Sequence, residues 1–183
     1  MNVVTKPTDS ASAGYGSLIE PGTLRIERLL HGPIERVWSY LVDGEMRARW
    51  LAGGAMELRV DAPFELVWRN DELTDPPGAK PDGFGVEHRM ASRITEIDPP
   101  RRLAFTWGTA GGSVTFELET VGGKVLLTLT HRRIADRAMV LMVGPGWHAH
   151  LDVLAARLAG ENPAPFWDAW LALKADYAAR LPE

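Results

Sequence analysis

Histidines are the side chains of this sequence whose type and placement could do acid–base chemistry near neutral pH. His88 falls on the same predicted strand face as Met90 and Ile94. A neutral imidazole there could orient a polar group of a ligand or act as a general base. The alternative is a structural histidine that is hydrogen-bonded to backbone or to a neighbour, and it applies equally to His131 at the end of a predicted strand. The sequence therefore offers candidate groups without assigning a catalytic residue.

Two further histidines, His148 and His150, flank Ala149 on a predicted helix. Residues two apart on a helix point about 200° away from each other, so these two cannot bind one metal ion together. His150 borders the apolar stripe of the helix and is expected to be a polar tip inside a cavity. His148 aligns with Asp152 and is expected to face solvent. We therefore expect no metal site and no cofactor.

Charged side chains offer further candidates for ligand binding. Arg47, Arg49 and Arg59 could hold a carboxylate ligand at the mouth of a cavity, and the alternative is that they are solvated surface arginines. Glu117 and Glu119 lie on the polar face of a predicted strand, a pattern that does not indicate paired acid–base carboxylates. No nucleophile elbow, phosphate-binding glycine loop or zinc-protease histidine pair is present in the sequence.

Composition excludes several classes of protein. A chain of 183 residues is expected to form one domain with a real core. The net charge of -4 gives no reason to expect a nucleic acid or an anionic membrane as partner. The absence of cysteine excludes disulfides and thiolate sites and is compatible with a reducing compartment. Since no stretch resembles a signal peptide or a transmembrane segment, we predict a cytoplasmic protein without membrane insertion.

Hydrophobic periodicity predicts the elements that must position these side chains. Strands are predicted at residues 24–30, 56–60, 64–68, 86–94, 103–107, 114–118 and 125–129. A helix at 34–41 and a short one at 46–50 follow the first strand. Residues 70–85 are rich in proline and glycine and form a predicted long loop, a lid or a mobile segment. Short connections favour antiparallel pairing, so the fold class is α+β with one curved antiparallel sheet.

A long helix at residues 144–160 is expected to close over this sheet. Trp147, Leu151, Leu154 and Leu158 recur at helical spacing, and Gly160 ends the helix. Pro145 is placed near the start of the helix, and residues 134–143 cannot be assigned from their period. A last helix begins at residue 166 and is expected to pack on the domain or on another copy of it, so a homodimer stays open.

Three segments resemble a known superfamily. They are LRIERLLHGPIERVWSYLVDGEMRARWL at residues 24–51, IDPPRRLAFTWG at 97–108 and GWHAHLDVLAARL at 146–158. They are similar to the SRPBCC superfamily, also called START-like or Bet v-like, and most to homologues of the activator of the heat-shock-protein-90 ATPase. The resemblance implies a helix-grip fold with an apolar tunnel between the sheet and the long helix. It carries over no agreed catalytic set, because the superfamily includes lipid-transfer domains, hormone-binding proteins, polyketide cyclases and chaperone regulators.

On this basis we expect a mobile N-terminal arm (residues 1–20), a helix-grip domain (21–160) and a C-terminal helical extension (161–183). The predicted function is non-catalytic binding of a hydrophobic small molecule or lipid between sheet and helix. The alternatives are a domain that stimulates a chaperone ATPase and an enzyme of the polyketide cyclase or aromatase kind. The aromatic residues could line such a cavity or fill the core. The predicted cavity residues are Trp38, Leu41, Trp50, Met56, Leu58, Trp68, His88, Met90, Ile94, Phe105, Trp107, Phe116, Trp147, His150, Leu151 and Leu154.

Overall fold

The computed structural model describes residues 14–181 of the chain. This part of the chain contains seven antiparallel strands and four α-helices. The strands are β1 (Ser17–Glu20), β2 (Thr23–His31), β3 (Pro63–Trp68), β4 (His88–Asp98), β5 (Arg102–Trp107), β6 (Gly112–Val121) and β7 (Lys124–Arg132). The helices are α1 (Ile34–Val42), α2 (Gly44–Ala48), α3 (Arg137–Ala159) and α4 (Phe166–Arg180). The strands form one curved sheet in the order β1-β2-β7-β6-β5-β4-β3. The predicted α+β helix-grip class is confirmed.

The long helix α3 lies across the sheet and buries its apolar stripe there. Leu151 and Leu154 are fully buried, and Trp147 and Leu158 are nearly so. The helix ends where predicted, because Gly160 adopts the left-handed conformation (φ 72°) and its N–H donates to the carbonyl of Arg157. On its other side α3 packs against α4, which follows in the same chain.

The N-terminus of α3 differs from the prediction. The helix starts at Arg137, where the Asp136 side chain accepts the N–H of Met139 at 2.9 Å. Pro145 therefore lies inside the helix, although proline at an interior position removes one backbone hydrogen bond. The prediction was wrong because it used Pro145 as a start signal. In the described residues 14–181 no helix is long and apolar enough to cross a membrane.

The predicted strand at residues 56–60 is absent. Leu58 and Val60 are about half exposed, at 45% and 49%. The N–H of Arg59 donates to the carbonyl of Glu57, and Asp61 has a left-handed backbone (φ 66°), so the segment turns instead of extending. Alternating apolar and charged residues predict a strand only where a sheet edge is available to pair with.

The strand count is nevertheless seven, because β1 lies in the segment predicted to be a mobile arm. Its Leu18 pairs with Leu24 of β2 across a turn at Gly22 (φ 71°). The N–H of Gly16 donates to the hydroxyl of Tyr177 on α4 at 2.7 Å. Ser17–Glu20 is thus part of the sheet, contrary to the prediction for these residues, while residues 1–13 of the arm lie outside the described part of the chain.

Candidate ligand-binding cavity

A cavity of about 290 Å³ opens between the sheet, α3 and α4. This volume far exceeds the roughly 30 Å³ that one water molecule occupies in the liquid. Six of the predicted cavity residues line it: Trp68, His88, Met90, Trp107, Trp147 and His150. Ten lining residues were not predicted: Leu51, Asn70, Phe84, Met139, Met142, Val143, Gly146, Phe166, Trp167 and Trp170. The exposed side chains of Met139 and Met142 lie where the cavity meets solvent.

One wall of the cavity is a group of aromatic rings from the sheet and α3. The ring centre of Trp107 lies 5.6 Å from that of Trp68 and 5.2 Å from that of Trp147. The ring of His88, at the start of β4, lies 5.5 Å from that of Trp68. Such offset and edge-to-face contacts hold the rings in fixed positions. Their faces that are not in contact with each other are available to an apolar ligand.

The opposite wall comes from α4 and from the loop at residues 69–87. Phe84 of the loop packs on Trp167 and Trp170 of α4, with ring centres 4.8 and 5.2 Å apart. Phe166, the first residue of α4, contacts Trp167 at 5.1 Å and the ring of His150 at 4.8 Å. The last helix therefore does more than cover the core, because three of its residues line the cavity.

Hydrogen bonds hold this loop to the N-terminus of α4. Trp167 donates its indole N–H to the carboxylate of Asp71 at 2.7 Å and its backbone N–H to the carbonyl of Pro77 at 2.9 Å. The N–H of Phe166 donates to the hydroxyl of Thr74 at 3.0 Å. The loop that the sequence left open as a lid or a mobile segment is thus tied to α4 in the structure.

His150 is the buried polar group of the α3 wall. Its Nδ1 lies 2.7 Å from the carbonyl oxygen of Trp50, which can only accept, so Nδ1 carries the proton. Burial lowers the pKa of His150 from 6.5 to about 4, and the imidazole is therefore neutral at pH 7. In a neutral imidazole with a protonated Nδ1, Nε2 is an acceptor. His150 lines the cavity, and its role there as a polar group toward a ligand stays a prediction.

The other two buried histidines serve the packing of the core. His131 accepts the indole N–H of Trp147 at Nδ1 over 3.1 Å. His148 was predicted to face solvent, and this was wrong, since only 7% of it is exposed and its Nδ1 lies 3.0 Å from the hydroxyl of Tyr177. The helix α4 covers that side of α3 and removes it from water. Burial lowers the pKa of both His131 and His148 to about 4.

The three arginines do not form a site for a carboxylate ligand. Arg47 is buried and donates to the backbone carbonyls of Leu41, Val42, Ala52, Gly53 and Gly54. Burial lowers its pKa to about 10. Arg49 lies within 3.5 Å of the Tyr40 hydroxyl, and Arg59 pairs with Glu57 at 2.6 Å on the exposed 56–60 segment. Arg47 therefore holds together the chain that enters and leaves α2.

The remaining predicted cavity residues lie elsewhere. Eight of them are buried core residues that do not line the cavity: Trp38, Leu41, Trp50, Ile94, Phe105, Phe116, Leu151 and Leu154. Met56 is half-buried and Leu58 is exposed, both in the segment that does not form a strand. Aromatic rings thus fill the inner part of the space under α3, and the cavity occupies the end near α4.

A comparison with protein-family models identifies one family over most of the chain. Residues 31–159 match the model described as Activator of Hsp90 ATPase homolog 1-like protein. The chain belongs to this family. The SRPBCC resemblance inferred from residues 24–51, 97–108 and 146–158 is thereby confirmed. Among curated proteins, the comparison found no match.

Solved structures share this fold. A protein from Bordetella parapertussis, encoded by gene BPP1335, is 42% identical, with 98% of this chain and 97% of that chain aligned and a TM-score of 0.78. CalU16 from Micromonospora echinospora is 24% identical over 86% of each chain, with a TM-score of 0.62. DynU16, a protein of the dynemicin biosynthetic locus, is 16% identical over 79% of this chain and 50% of that chain, with a TM-score of 0.62. The last two likenesses show the fold alone.

The part of this chain that matches the Activator of Hsp90 ATPase homolog 1-like model ends before α4. Phe166, Trp167 and Trp170 therefore lie outside the residues matched to the family model, although they line the cavity. The Bordetella protein, in contrast, aligns along nearly the whole chain. In this member of the family, part of one wall of the cavity is supplied by residues beyond the matched region.

Proposed function

We propose that the protein binds a hydrophobic small molecule in the cavity between the sheet, α3 and α4, without catalysing a reaction on it. The observation that carries the proposal is the cavity itself, which is lined largely by aromatic and aliphatic side chains and opens to solvent beside Met139 and Met142. Sites for small molecules are typically concave and mostly apolar, with few polar groups. Removing apolar ligand surface from water there contributes roughly 25 cal/mol per Å².

The chemistry of the lining supports an uncharged ligand. No lysine, arginine, aspartate or glutamate side chain lines the cavity in the part of the chain that the structure describes. His150 is held neutral by burial, as its lowered pKa indicates. Transfer of a charged group from water into such a site would cost free energy, because the lining offers no opposite charge to pair with it.

Fluorescence of the tryptophans provides a direct test, because five of the seven line the cavity. The probe is N-phenyl-1-naphthylamine, an uncharged apolar dye that accepts excitation energy from tryptophan. We expect saturable dye emission when the tryptophans are excited. The absence of saturable binding to the folded protein would contradict the proposal.

A matched pair of variants on α3 separates the cavity from the rest of the surface. A Cβ at Gly146 would meet only the Trp170 indole nitrogen, at 4.0 Å, and Gly146 lines the cavity, so we expect the side chain of Gly146→Leu to take up cavity space. Ala138→Leu adds the same side chain at an exposed position of the same helix. We expect Gly146→Leu to weaken dye binding at least tenfold and Ala138→Leu to leave it unchanged. Equal binding by both variants would place the dye elsewhere.

A second candidate function follows from the family. The matched model is described by homology to an activator of the Hsp90 ATPase, so stimulation of a chaperone ATPase is the alternative that this observation favours. Addition of the protein to a chaperone of this class, up to saturation, should then raise its ATPase rate, and an unchanged rate would contradict this candidate. The cyclase or aromatase activity, the homodimer and the cytoplasmic location stay predictions.

A further inference from the structure

His150 brings a hydrogen-bond acceptor without a partner to the wall of the cavity. Its Nδ1–H donates to the carbonyl of Trp50, so the lone pair of Nε2 remains available to accept. No donor from residues 14–181 forms a hydrogen bond with Nε2, and Nε2 is not one of the unpartnered polar atoms that the fold closes off from solvent. In these residues the closed-off atoms are Asn70 Oδ1, Ser92 Oγ and Arg157 Nε. Because His150 lines the cavity, its Nε2 is open to a molecule bound there.

Packing holds this acceptor in one orientation. Only 5% of His150 is exposed, and the ring of Phe166 lies 4.8 Å from its ring. The carbonyl that accepts from Nδ1 is itself held in place, because Trp50 is fully buried and its indole N–H donates to the carbonyl of Tyr40 at 2.8 Å. The imidazole therefore cannot turn to find a second partner elsewhere, and a donor has to come to Nε2.

The surroundings of Nε2 on α3 are mostly apolar. Val143, Gly146 and Trp147 precede His150 at helical spacing and line the same cavity. A hydrogen bond in such surroundings is electrostatically stronger than one in water, and a polar atom that is buried without a partner is costly. The lining therefore favours a ligand that is apolar over most of its surface and carries a donor at one point.

Two other polar side chains of the lining do not offer a second buried acceptor. Oδ1 of Asn70 is closed off from solvent and hence also from a ligand. His88 is exposed at the start of β4, where water competes for its ring nitrogens. The indole N–H groups of the lining tryptophans can only donate. A ligand inside the cavity thus finds its acceptor at His150.

We propose that Nε2 of His150 selects an uncharged ligand with a hydroxyl or N–H group by accepting a hydrogen bond from that group. This inference rests on the proposed function and adds the chemical class of the ligand. The cavity of about 290 Å³ lies at the lower limit of small-molecule sites, which run from roughly 300 to 1,000 Å³. Compact ring compounds with a single donor are therefore the suitable ligands.

The test compares two probes of nearly equal size, 2-naphthol and 2-methylnaphthalene, which differ in a hydroxyl against a methyl group. Equilibrium dialysis against the intact protein measures the Kd of each. A site without an acceptor would favour the hydrocarbon by about tenfold or more, because the hydroxyl would lose its hydrogen bonds to water. We expect 2-naphthol to bind at least as tightly as 2-methylnaphthalene, since Nε2 replaces the lost water.

A matched pair of variants on α3 assigns this preference to one side chain. His150→Phe keeps a flat ring without the acceptor, and we expect the ratio of the two Kd values to move at least tenfold toward the hydrocarbon, which corresponds to about 1.4 kcal/mol. His148→Phe makes the same change at a buried histidine that does not line the cavity, and the ratio should stay as in the unaltered protein. Unfolding profiles establish that each variant is folded.

Nuclear magnetic resonance of the ¹⁵N-labelled, unaltered protein provides a measurement that needs no variant. A nitrogen that accepts a hydrogen bond resonates closer to the position of a protonated nitrogen. We therefore expect the Nε2 signal of His150 to lie closer to that position in the 2-naphthol complex than in the 2-methylnaphthalene complex. The signals of His131 and His148, which do not line the cavity, serve as internal controls.

The outcomes separate this inference from the proposed function. If neither the naphthylamine dye nor either naphthalene binds, the proposed function is wrong. If they bind but the unaltered protein favours the hydrocarbon, or if the Nε2 signal is the same in both complexes, the role of His150 is overturned. A folded His150→Phe variant that keeps the ratio of the unaltered protein would overturn it as well.

Discussion

The three buried histidines predict that mild acid destabilises the fold. Burial holds the pKa of His131, His148 and His150 at about 4, against 6.5 for an exposed imidazole. The unfolded chain therefore binds protons between about pH 6.5 and about pH 4 that the folded chain does not. Stability is full above the unfolded pKa and is lost as the pH falls through this window.

The magnitude follows from the two pKa values. At about pH 5 an unfolded histidine is almost fully protonated while a folded one with a pKa of about 4 is about one-tenth protonated, which costs about 2 kcal/mol per residue. His131 and His150 together give a loss of about 4 kcal/mol. His148, whose pKa is also about 4 although the carboxylate of Asp152 lies 3.4 Å from its Nε2, adds a loss of similar size. The free energy of unfolding of a small protein is only about 5–15 kcal/mol, so a loss of this size is large.

Urea unfolding followed by tryptophan fluorescence measures this loss. The free energy of unfolding is compared at about pH 7.5 and about pH 5, above the range in which ordinary carboxyl groups titrate. We expect His131→Gln and His150→Gln each to remove about 2 kcal/mol of the difference between the two pH values. His31→Gln, at an exposed histidine, controls for the change of residue type. A loss below about 1 kcal/mol in the unaltered protein would refute the reasoning, and so would a loss in His131→Gln and His150→Gln as large as that in the unaltered protein.

Two further variants test the polar contacts that join the elements. Arg47→Met removes the guanidinium that donates to the carbonyls on both sides of α2, and we expect a loss of about 3 kcal/mol or more in urea unfolding, because several buried acceptors lose their donor; a loss below about 1 kcal/mol would contradict this. Tyr177→Phe leaves the N–H of Gly16 without its acceptor, so the stability should fall by about 1–3 kcal/mol and the Gly16 amide should exchange faster with solvent. Unchanged exchange at Gly16 would show that β1 does not depend on α4.

Local patterns in the sequence predicted most of the fold. The stripe from Trp147 to Leu158 and the glycine that ends α3 are signals that a helix carries in its own residues. The segment from Met56 to Val60 carries an equally clear alternation but finds no strand to pair with. Pairing depends on what lies beside the segment in three dimensions. The residue pattern of one segment cannot show whether a strand lies beside it.

The cavity was harder to predict because aromatic residues look alike in sequence. Trp50 and Trp68 are both buried, yet only Trp68 lines the cavity, since α4 and the loop at 69–87 approach that end of the sheet. One signal was present. Extended backwards, the helical period of Trp147 and His150 reaches Val143 and Met139, which share the cavity face of α3. The place of the loop at 69–87 depends on contacts with α4, such as the hydrogen bond between Asp71 and Trp167, which are 96 residues apart, and no local pattern indicates it.

Near one end of the described chain β2 packs against α3, and at the other end α4 packs against the same helix. Any shortened version of the protein that lacks these elements is affected. A fragment trimmed to the matched residues 31–159 would lose all of β2 except His31, which leaves β7 with an unpaired edge from Val125 to His131. It would also expose the face of α3 that Trp170 and Tyr177 now cover. An exposed strand edge beside an uncovered apolar helix invites aggregation. Insolubility of such a fragment would then reflect where the chain was cut rather than instability of the intact protein.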